Sequence, residues 1–332
     1  MINKTQDEII KDWKNTSSSD PLVSISCITY NHINYIEQCL DGFLEQETDY
    51  PFEILIHDDC STDGTTEIIQ KYSTKYPDII KPMYETENQY QKGKPAGSLI
   101  WNFPRAKGKY IALCEGDDYW VSSEKLQRQF DFMENHLDYS MCFSNAIINC
   151  DGVETKEITP NIKKTKTIKP SEIIQNGGMF VPSPSIFYRR EILENYPEYN
   201  SQCWVGDYPL QIYCAMKGKI YFFNDSLVVY RSNSVGAWTY INKTKTFRQK
   251  KKGIESELVM LNGNNKASGY KYNHYFMYHK CELLTRHIFS EIKLFLEGPW
   301  YNFFYIFFAM GLYLGKILGR VLHIKIKGRY NV

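Results

Sequence analysis

The stretch FEILIHDDCSTDGTTEIIQKY, residues 52–72, decides the fold. Phe52 to Ile56 is an apolar, β-branched run of strand character, and it ends abruptly in His57, Asp58 and Asp59. Ser61, Thr62, Asp63 and Gly64 are turn formers. From Thr65 to Tyr76 the residues Ile68, Ile69 and Tyr72 keep helical spacing, so the unit reads as strand, acidic turn and helix.

The same unit stands upstream. Leu22 to Tyr30 is a strand-like run, turned at Asn31 and His32 and followed by Tyr35, Ile36, Cys39, Leu40 and Phe43 at helical spacing. A third cycle follows downstream: Ala96 to Lys107 reads as a helix bent or ended by Pro104, and Lys109 to Cys114 as a strand. Three such alternations argue for an α/β fold with a mainly parallel sheet covered on both faces. Beyond Cys114 the spacing predicts a helix over Lys125 to His136, a strand over Tyr139 to Asn149 and a polar surface loop over Asp151 to Lys169. A short helix over Ser171 to Asn176, an extended segment from Met179 to Tyr188 and a helix over Tyr208 to Lys217 come next. Two strands, Lys219 to Phe223 and Leu227 to Arg231, complete this part, and from about Thr244 the pattern is helical.

The chain has 332 residues, enough for one large domain with an appendage or two ordinary ones. Hydrophobic residues at 43% and charged residues at 23% exclude wholesale disorder and fibrous architectures. A net charge of +1, from 39 basic and 38 acidic residues, gives no global field for nucleic acid. The nine cysteines are scattered singly, without a C-x-x-C pair, and read as small buried hydrophobes in a reducing compartment. Met1 to Asp20 is polar and lacks the apolar stretch of a secretory signal, so a cytoplasmic chain is expected.

The tail changes character. Trp300 to Leu314 is almost wholly apolar and aromatic, but at 15 residues it is shorter than the roughly 20 that a spanning helix needs. Lys316, Arg320, His323 and Lys327 then share one helical stripe, and from Pro299 to Val332 there are five Lys and Arg and no acidic residue. That is the pattern of a basic amphipathic helix on an anionic membrane surface, with core packing as the alternative. Gly311, Gly315 and Gly319 at four-residue spacing suit close helix packing, so a homo-oligomer is open.

Acidic residues gather where the strands end: Asp58 and Asp59 after the second, and Glu115, Asp117 and Asp118 after the strand from Lys109. Ligands of open α/β sheets bind beyond the carboxyl ends of the strands, so these acids are expected to converge on one crevice. Facing carboxylates repel unless a cation sits among them, and oxygen ligation suits Mg²⁺ or Mn²⁺ completed by substrate phosphates. Gly116 would let a ligand approach the backbone. Neither G-x-G-x-x-G after the first strand nor G-x-x-x-x-G-K-[ST] is present, which argues against a dinucleotide dehydrogenase and a P-loop NTPase.

At these residues the chain resembles the family 2 glycosyltransferases of the GT-A fold, especially bacterial enzymes of surface or capsular polysaccharide synthesis. The matching blocks are SISCITYNH (24–32), IHDDCSTDGT (56–65), GKYIALCEGDDYW (108–120) and GDYPL (206–210), in the family's order across about residues 21 to 240. The resemblance implies a nucleotide-sugar donor, such as a UDP-sugar, bound by Thr29, Tyr30, Asn31, Asp59, Glu115, Asp117 and Arg231. It implies a metal held by Asp118 and Asp117, in the place of the family's D-x-D-type motif, and an acceptor pocket bordered by Tyr119, Trp120 and Met179 to Tyr188. Asp207 stands where the family keeps the general base of an inverting transfer. By its position alone, helix capping is an equal reading of Asp207. Related enzymes often carry a histidine where this chain has Asn233, which would weaken or alter the metal site, and Trp238 is read either as a diphosphate clamp or as core. His32 and His57 read as satisfied hydrogen-bonders.

The expected organisation is a polar extension (1–20), a GT-A domain (21–240), a helical region (241–298) and a membrane-associating helix (299–332). A glycan or lipid-linked acceptor at the inner face of the cell membrane would suit such a tail. A nucleotidyltransferase shares strand-end carboxylates and differs in releasing pyrophosphate. A catalytically silent carbohydrate-binding or scaffold subunit is the third reading.

Overall fold

The computed structural model describes residues 4–13, 20–94, 98–150, 153–160, 162–232 and 245–296. After a short helix α1 (Gln6–Ile10), strands β1 (Val23–Thr29) and β2 (Phe52–Asp58) are joined by helix α2 (Ile36–Leu44), and helix α3 (Thr65–Lys75) leads to β3 (Ile80–Tyr84). A one-turn helix α4 (Ser98–Trp101) and a 3-10 turn holding Pro104 precede β4 (Tyr110–Leu113). These strands run parallel in the order β3-β2-β1-β4. All of β2 is buried, and Ile54 and Ile56 face one core while Leu55 faces the other. A strand covered on both sides needs an unbroken apolar run, which is how residues 52–56 read.

The second half follows as β5 (Tyr119–Trp120), α5 (Lys125–Asn135), β6 (Tyr139–Cys150), β7 (Val153–Thr159), β8 (Lys166–Ile168), α6 (Pro170–Asn176), β9 (Phe187–Arg189), α7 (Glu198–Ser201), α8 (Asp207–Lys217) and β10 (Lys219–Ser232). β9 lies antiparallel to both β4 and β6 and so welds the halves into one ten-stranded sheet, ordered β3-β2-β1-β4-β9-β6-β10-β5. The expected parallel sheet thus holds for the first four strands and for β6 with β10, and the rest is antiparallel.

Three elements differ from the sequence reading. The expected loop over Asp151 to Lys169 contains β7 and β8, which pair with β6 and β10; their mostly polar sequences hide strands that backbone pairing holds, with Ile168 alone of β8 in the core. β3 was not anticipated, because Lys81 and Pro82 interrupt it, and it survives as an edge strand where a missing N–H is tolerated. The two strand pieces around Asn224 are one strand, β10, with register shifts between Phe223 and Val228.

Helices α9 (Phe247–Ala267) and α10 (Asn273–Leu296) close the described chain. Met260, Leu261 and Phe276 are fully buried in the second core, so these helices share that core with the sheet. Six of the nine cysteines are buried as free thiols, in keeping with their reading as small hydrophobes. Among the described residues no helix is long and apolar enough to cross a membrane. The expected amphipathic tail, Asn233 and Trp238 lie outside the described residues.

Candidate functional site

The site is built on the segment that leaves β4. Cys114 N donates to Ser26 O at 3.2 Å and Gly116 N to Ile28 O at 3.0 Å, so the acidic loop continues alongside the end of β1. A Cβ on residue 116 would stand 2.6 Å from Thr29 Oγ1, so only glycine allows this approach. Asp118 N closes the turn on Glu115 O at 3.0 Å, and the chain enters β5, paired with Val228 and Val229 of β10.

Arg231 of β10 fastens this loop. Its backbone N–H donates to Asp118 Oδ1 at 2.7 Å, and its guanidinium donates to the Asp117 carbonyl and to the Gln38 side chain of α2. The guanidinium also lies over the rings of Tyr119, at 4.4 Å, and Tyr35, at 4.9 Å. With 6% of its surface exposed, Arg231 serves first as a strut.

Carboxylates crowded into one turn raise the proton affinity of Glu115 and Asp118. Burial, then the charges of Asp117 and Glu115, hold the Asp118 carboxyl well above the usual range, against the pull of the Arg231 amide and guanidinium. Glu115 is pushed up to about 7 by burial and Asp117, with Asp207 adding to the rise. The Ser183 hydroxyl, donating to Glu115 Oε2 at 2.8 Å, opposes it.

Asp207 reaches the same place from the far end of the sequence. Gly206 takes the cap position of α8 without a side-chain cap bond, and Asp207 is the first helical residue. Burial pushes its carboxyl up to about 6, while the amides of Tyr208 and Asp207 pull the other way. The Tyr230 hydroxyl is raised by burial and then by the charges of Asp118, Asp117, Glu115 and Asp207 in turn. Sequence reasoning passed over Tyr230; its place beside Arg231 on β10 was the available signal.

The other expected residues divide. Thr29 closes β1 with its hydroxyl 3.0 Å from His32 Nδ1, and Tyr30 beside it is partly exposed. Asn31, in the left-handed region at φ 54°, donates from its backbone to Ser61 Oγ at 2.9 Å and accepts from Thr62 N at 2.8 Å, which knits the first two loops together. Asp58 accepts from Ser61 and Thr66 within its own turn. Asp59 accepts from the backbone of Gln89 at 2.7 Å and of Tyr90 at 3.1 Å. The first pair of acids is thus spent on loops, and of the expected convergence what is felt is the charge of Asp207 at Glu115 in the second loop. His57 stacks on Trp101 at 4.5 Å and contacts Glu85 at 3.3 Å, a satisfied hydrogen-bonder as expected.

Trp120 is packed into the core. It is 3% exposed, packs on Phe43 at 4.7 Å, donates to Pro184 O at 2.9 Å and has the Lys125 ammonium 3.9 Å over its ring. An indole is large and apolar, and the core claims it. Tyr119 is nearly buried too, under Arg231.

Among the described residues no three His, Cys, Asp or Glu side chains are gathered closely enough to cage a cation.

Comparison with known proteins agrees with this architecture. An uncharacterized protein of Mycobacterium tuberculosis is 31% identical over 239 residues, 71% of this chain and 66% of that protein, so the chain spans about two thirds of that relative's length. The UDP-Glc:alpha-D-GlcNAc-diphosphoundecaprenol beta-1,3-glucosyltransferase WfaP of Escherichia coli is 39% identical over 134 residues, 40% of this chain and 49% of that protein. The crystal structure of S. aureus TarS 1-349 in complex with UDP-GlcNAc superposes with a TM-score of 0.61 at 20% identity, covering 80% of this chain and 72% of that one. Residues 24–196, which carry the parallel strands β1 to β4 and the acidic loop, match Glycosyl transferase family 2, and the chain belongs to that family.

Proposed function

We propose that the protein transfers a sugar from a nucleotide-diphosphate donor, such as a UDP-sugar, to a hydroxyl of a glycan or lipid-linked acceptor, with inversion, in cell-surface polysaccharide synthesis. The observation that carries this reading is the acidic Glu115–Asp118 loop seated against the end of β1 and fastened by Arg231, with the charge of Asp207 felt at Glu115. The donors named for WfaP and for the TarS complex support a UDP-sugar.

The acceptor hydroxyl gives its proton to the Asp207 carboxylate as its oxygen attacks the anomeric carbon. The bond from that carbon to the diphosphate oxygen breaks, and its electron pair leaves with the diphosphate. A carboxyl raised to about 6 is ionised at neutral pH and still basic enough for this task, a role worth roughly 10²–10⁴-fold. Asp118 and Asp117 would hold Mg²⁺ or Mn²⁺, whose chemistry when bound is to offset charge on the departing diphosphate. Thr29, Tyr30 and the loops shaped by Asn31 and Asp59 line the nucleotide side, and Glu115 with Ser183 faces the sugar.

The acceptor setting is argued from sequence. Five basic residues and no acidic one between 299 and 332, after an aromatic run, suit peripheral binding to the anionic inner face of the cell membrane. Release of UDP from UDP-GlcNAc or UDP-glucose tests the central reading. Asp207→Asn should bind the donor as before and lose at least 10²-fold in turnover; an Asp207→Asn enzyme at full rate, or release of pyrophosphate in place of UDP, would defeat it.

A further inference from the structure

Lys125, the first residue of α5, is fully buried. Its ammonium donates to Gln129 Oε1 at 2.8 Å and lies 3.9 Å from the centre of the Trp120 ring. A charge held by neutral groups away from water costs desolvation free energy that an apolar side chain of the same length would not. What the ammonium secures is the orientation of the two groups it touches.

Both of those groups lead to one place. Trp120 Nε1 donates to Pro184 O at 2.9 Å, and Gln129 Nε2 donates to Ser185 O at 2.9 Å, each in the interior. Two consecutive carbonyls of the 3-10 turn Ser183–Ser185 are thus taken by side chains that a single ammonium orients. Gln129 can serve Ser185 only while its amide oxygen is turned to Lys125, since the amide's donor and acceptor ends point apart. The turn is tightened from within by Ser185, whose N and Oγ donate to Pro182 O at 3.0 and 2.7 Å. On its other side, the Ser183 hydroxyl donates to Glu115 Oε2 at 2.8 Å.

The mounting is stiff. Gln46, just past α2, donates to Ser122 O at 2.8 Å and accepts from Leu126 N at 3.0 Å. A Cβ on Gly42 would stand 2.8 Å from Trp120 O. Helix α2, strand β5 and the first turn of α5 therefore leave one another little play.

We propose that Lys125 is a positioning residue: through Trp120 and Gln129 it fixes the Ser183–Ser185 turn, and through the Ser183 hydroxyl that turn fixes the Glu115 carboxylate against the donor's sugar. The last step rests on the donor reading given above; the brace itself does not.

Lys125→Met keeps the length and the apolar stem and removes the ammonium. Hydrogen exchange of the full chain reads the turn without any ligand. The amides of Ser185 and Ile186, which close the turn on Pro182 O and Ser183 O, should exchange about tenfold faster in Lys125→Met, while those of β1 and β2 keep the parent's rates. Unchanged exchange at the turn overturns the proposal, and so does an equal acceleration in β1 and β2, which would make Lys125 a general stabiliser. Should Lys125→Met not fold, Gln129→Leu cuts the bond to Ser185 O and should show the same local acceleration. Calorimetric titration with UDP and with UDP-GlcNAc or UDP-glucose, whichever the parent binds, reads the consequence in the presence of Mn²⁺. Ser183→Ala and Lys125→Met should each weaken the UDP-sugar about fivefold more than they weaken UDP. The double variant should lose no more than Ser183→Ala, because both changes act on one bond. Equal losses for the two ligands, or losses that multiply in the double variant, refute the link to Glu115. A parent that binds none of these nucleotides refutes the donor reading instead, and the exchange rates still decide the brace.

Discussion

Replacing Gly116 by alanine asks whether the acidic loop is seated on β1 as described. The new Cβ would stand 2.6 Å from Thr29 Oγ1, 2.8 Å from Thr29 Cβ and 3.1 Å from His32 Nδ1. Non-bonded carbon atoms prefer about 3.5–4.0 Å, so the overlap with Thr29 approaches 1 Å. Thr29 cannot yield: it is buried, pairs with Asp58 in the sheet, and its carbonyl accepts from Asp59 N at 3.0 Å. The loop must move instead, at about 1–3 kcal/mol of strain. A displacement of about 1 Å at groups that orient a reacting substrate costs on the order of 10²-fold in rate. Gly116→Ala should therefore melt several degrees below the parent and release UDP from UDP-GlcNAc about 10²-fold more slowly. A variant with unchanged melting and a rate within twofold would refute the close approach of loop and strand, and with it the placement of the acidic loop at the end of β1.

Arg231→Lys should weaken the same loop by another route. A lysine keeps the charge but cannot donate at once to the Asp117 carbonyl and Gln38 or cover Tyr119 and Tyr35; a loss of about 2–4 kcal/mol in denaturant unfolding, with a raised KM for the donor, is expected. Glu115 and Asp118 have folded-state proton affinities above their ordinary values, so the folded protein binds more protons than the unfolded chain, and metal-free stability should fall as pH rises from about 4.5 through about 7. For Glu115 the loss is on the order of 3 kcal/mol, and adding Mn²⁺ with UDP at pH 7 should restore melting temperature in the parent and not in Asp118→Asn. Flotation with anionic liposomes checks the tail: the full chain should rise with the vesicles and a chain ending at Glu297 should not, and equal recovery of both in the soluble fraction would refute the membrane reading.

The parallel half of the fold was legible because its strands are covered on both faces. Residues 23–29 and 52–58 can only be buried strands, and the helical spacing of Ile36, Cys39, Leu40 and Phe43 can only cover them. β3 and β7 were not legible, since Lys81 and Pro82 or alternating polar residues leave no apolar signature and pairing with a neighbour supplies the hydrogen bonds. Trp120 and Asp59 show the same limit at the site: residue type named them, but a core contact with Phe43 and the amides of Gln89 and Tyr90 had prior claim.

By itself the sequence determined the acidic loop after β4, the strand-turn-helix units and the family blocks, because these depend on neighbours along the chain. The tertiary structure alone decided which acids meet. The charge of Asp207 is felt at Glu115, Asp58 turns to its own loop and Asp59 to the amides of Gln89 and Tyr90, and Tyr230 and Arg231 arrive from a distant strand. Charge interactions depend on distance and burial, and both are set only when β10 and the C-terminal helices have packed.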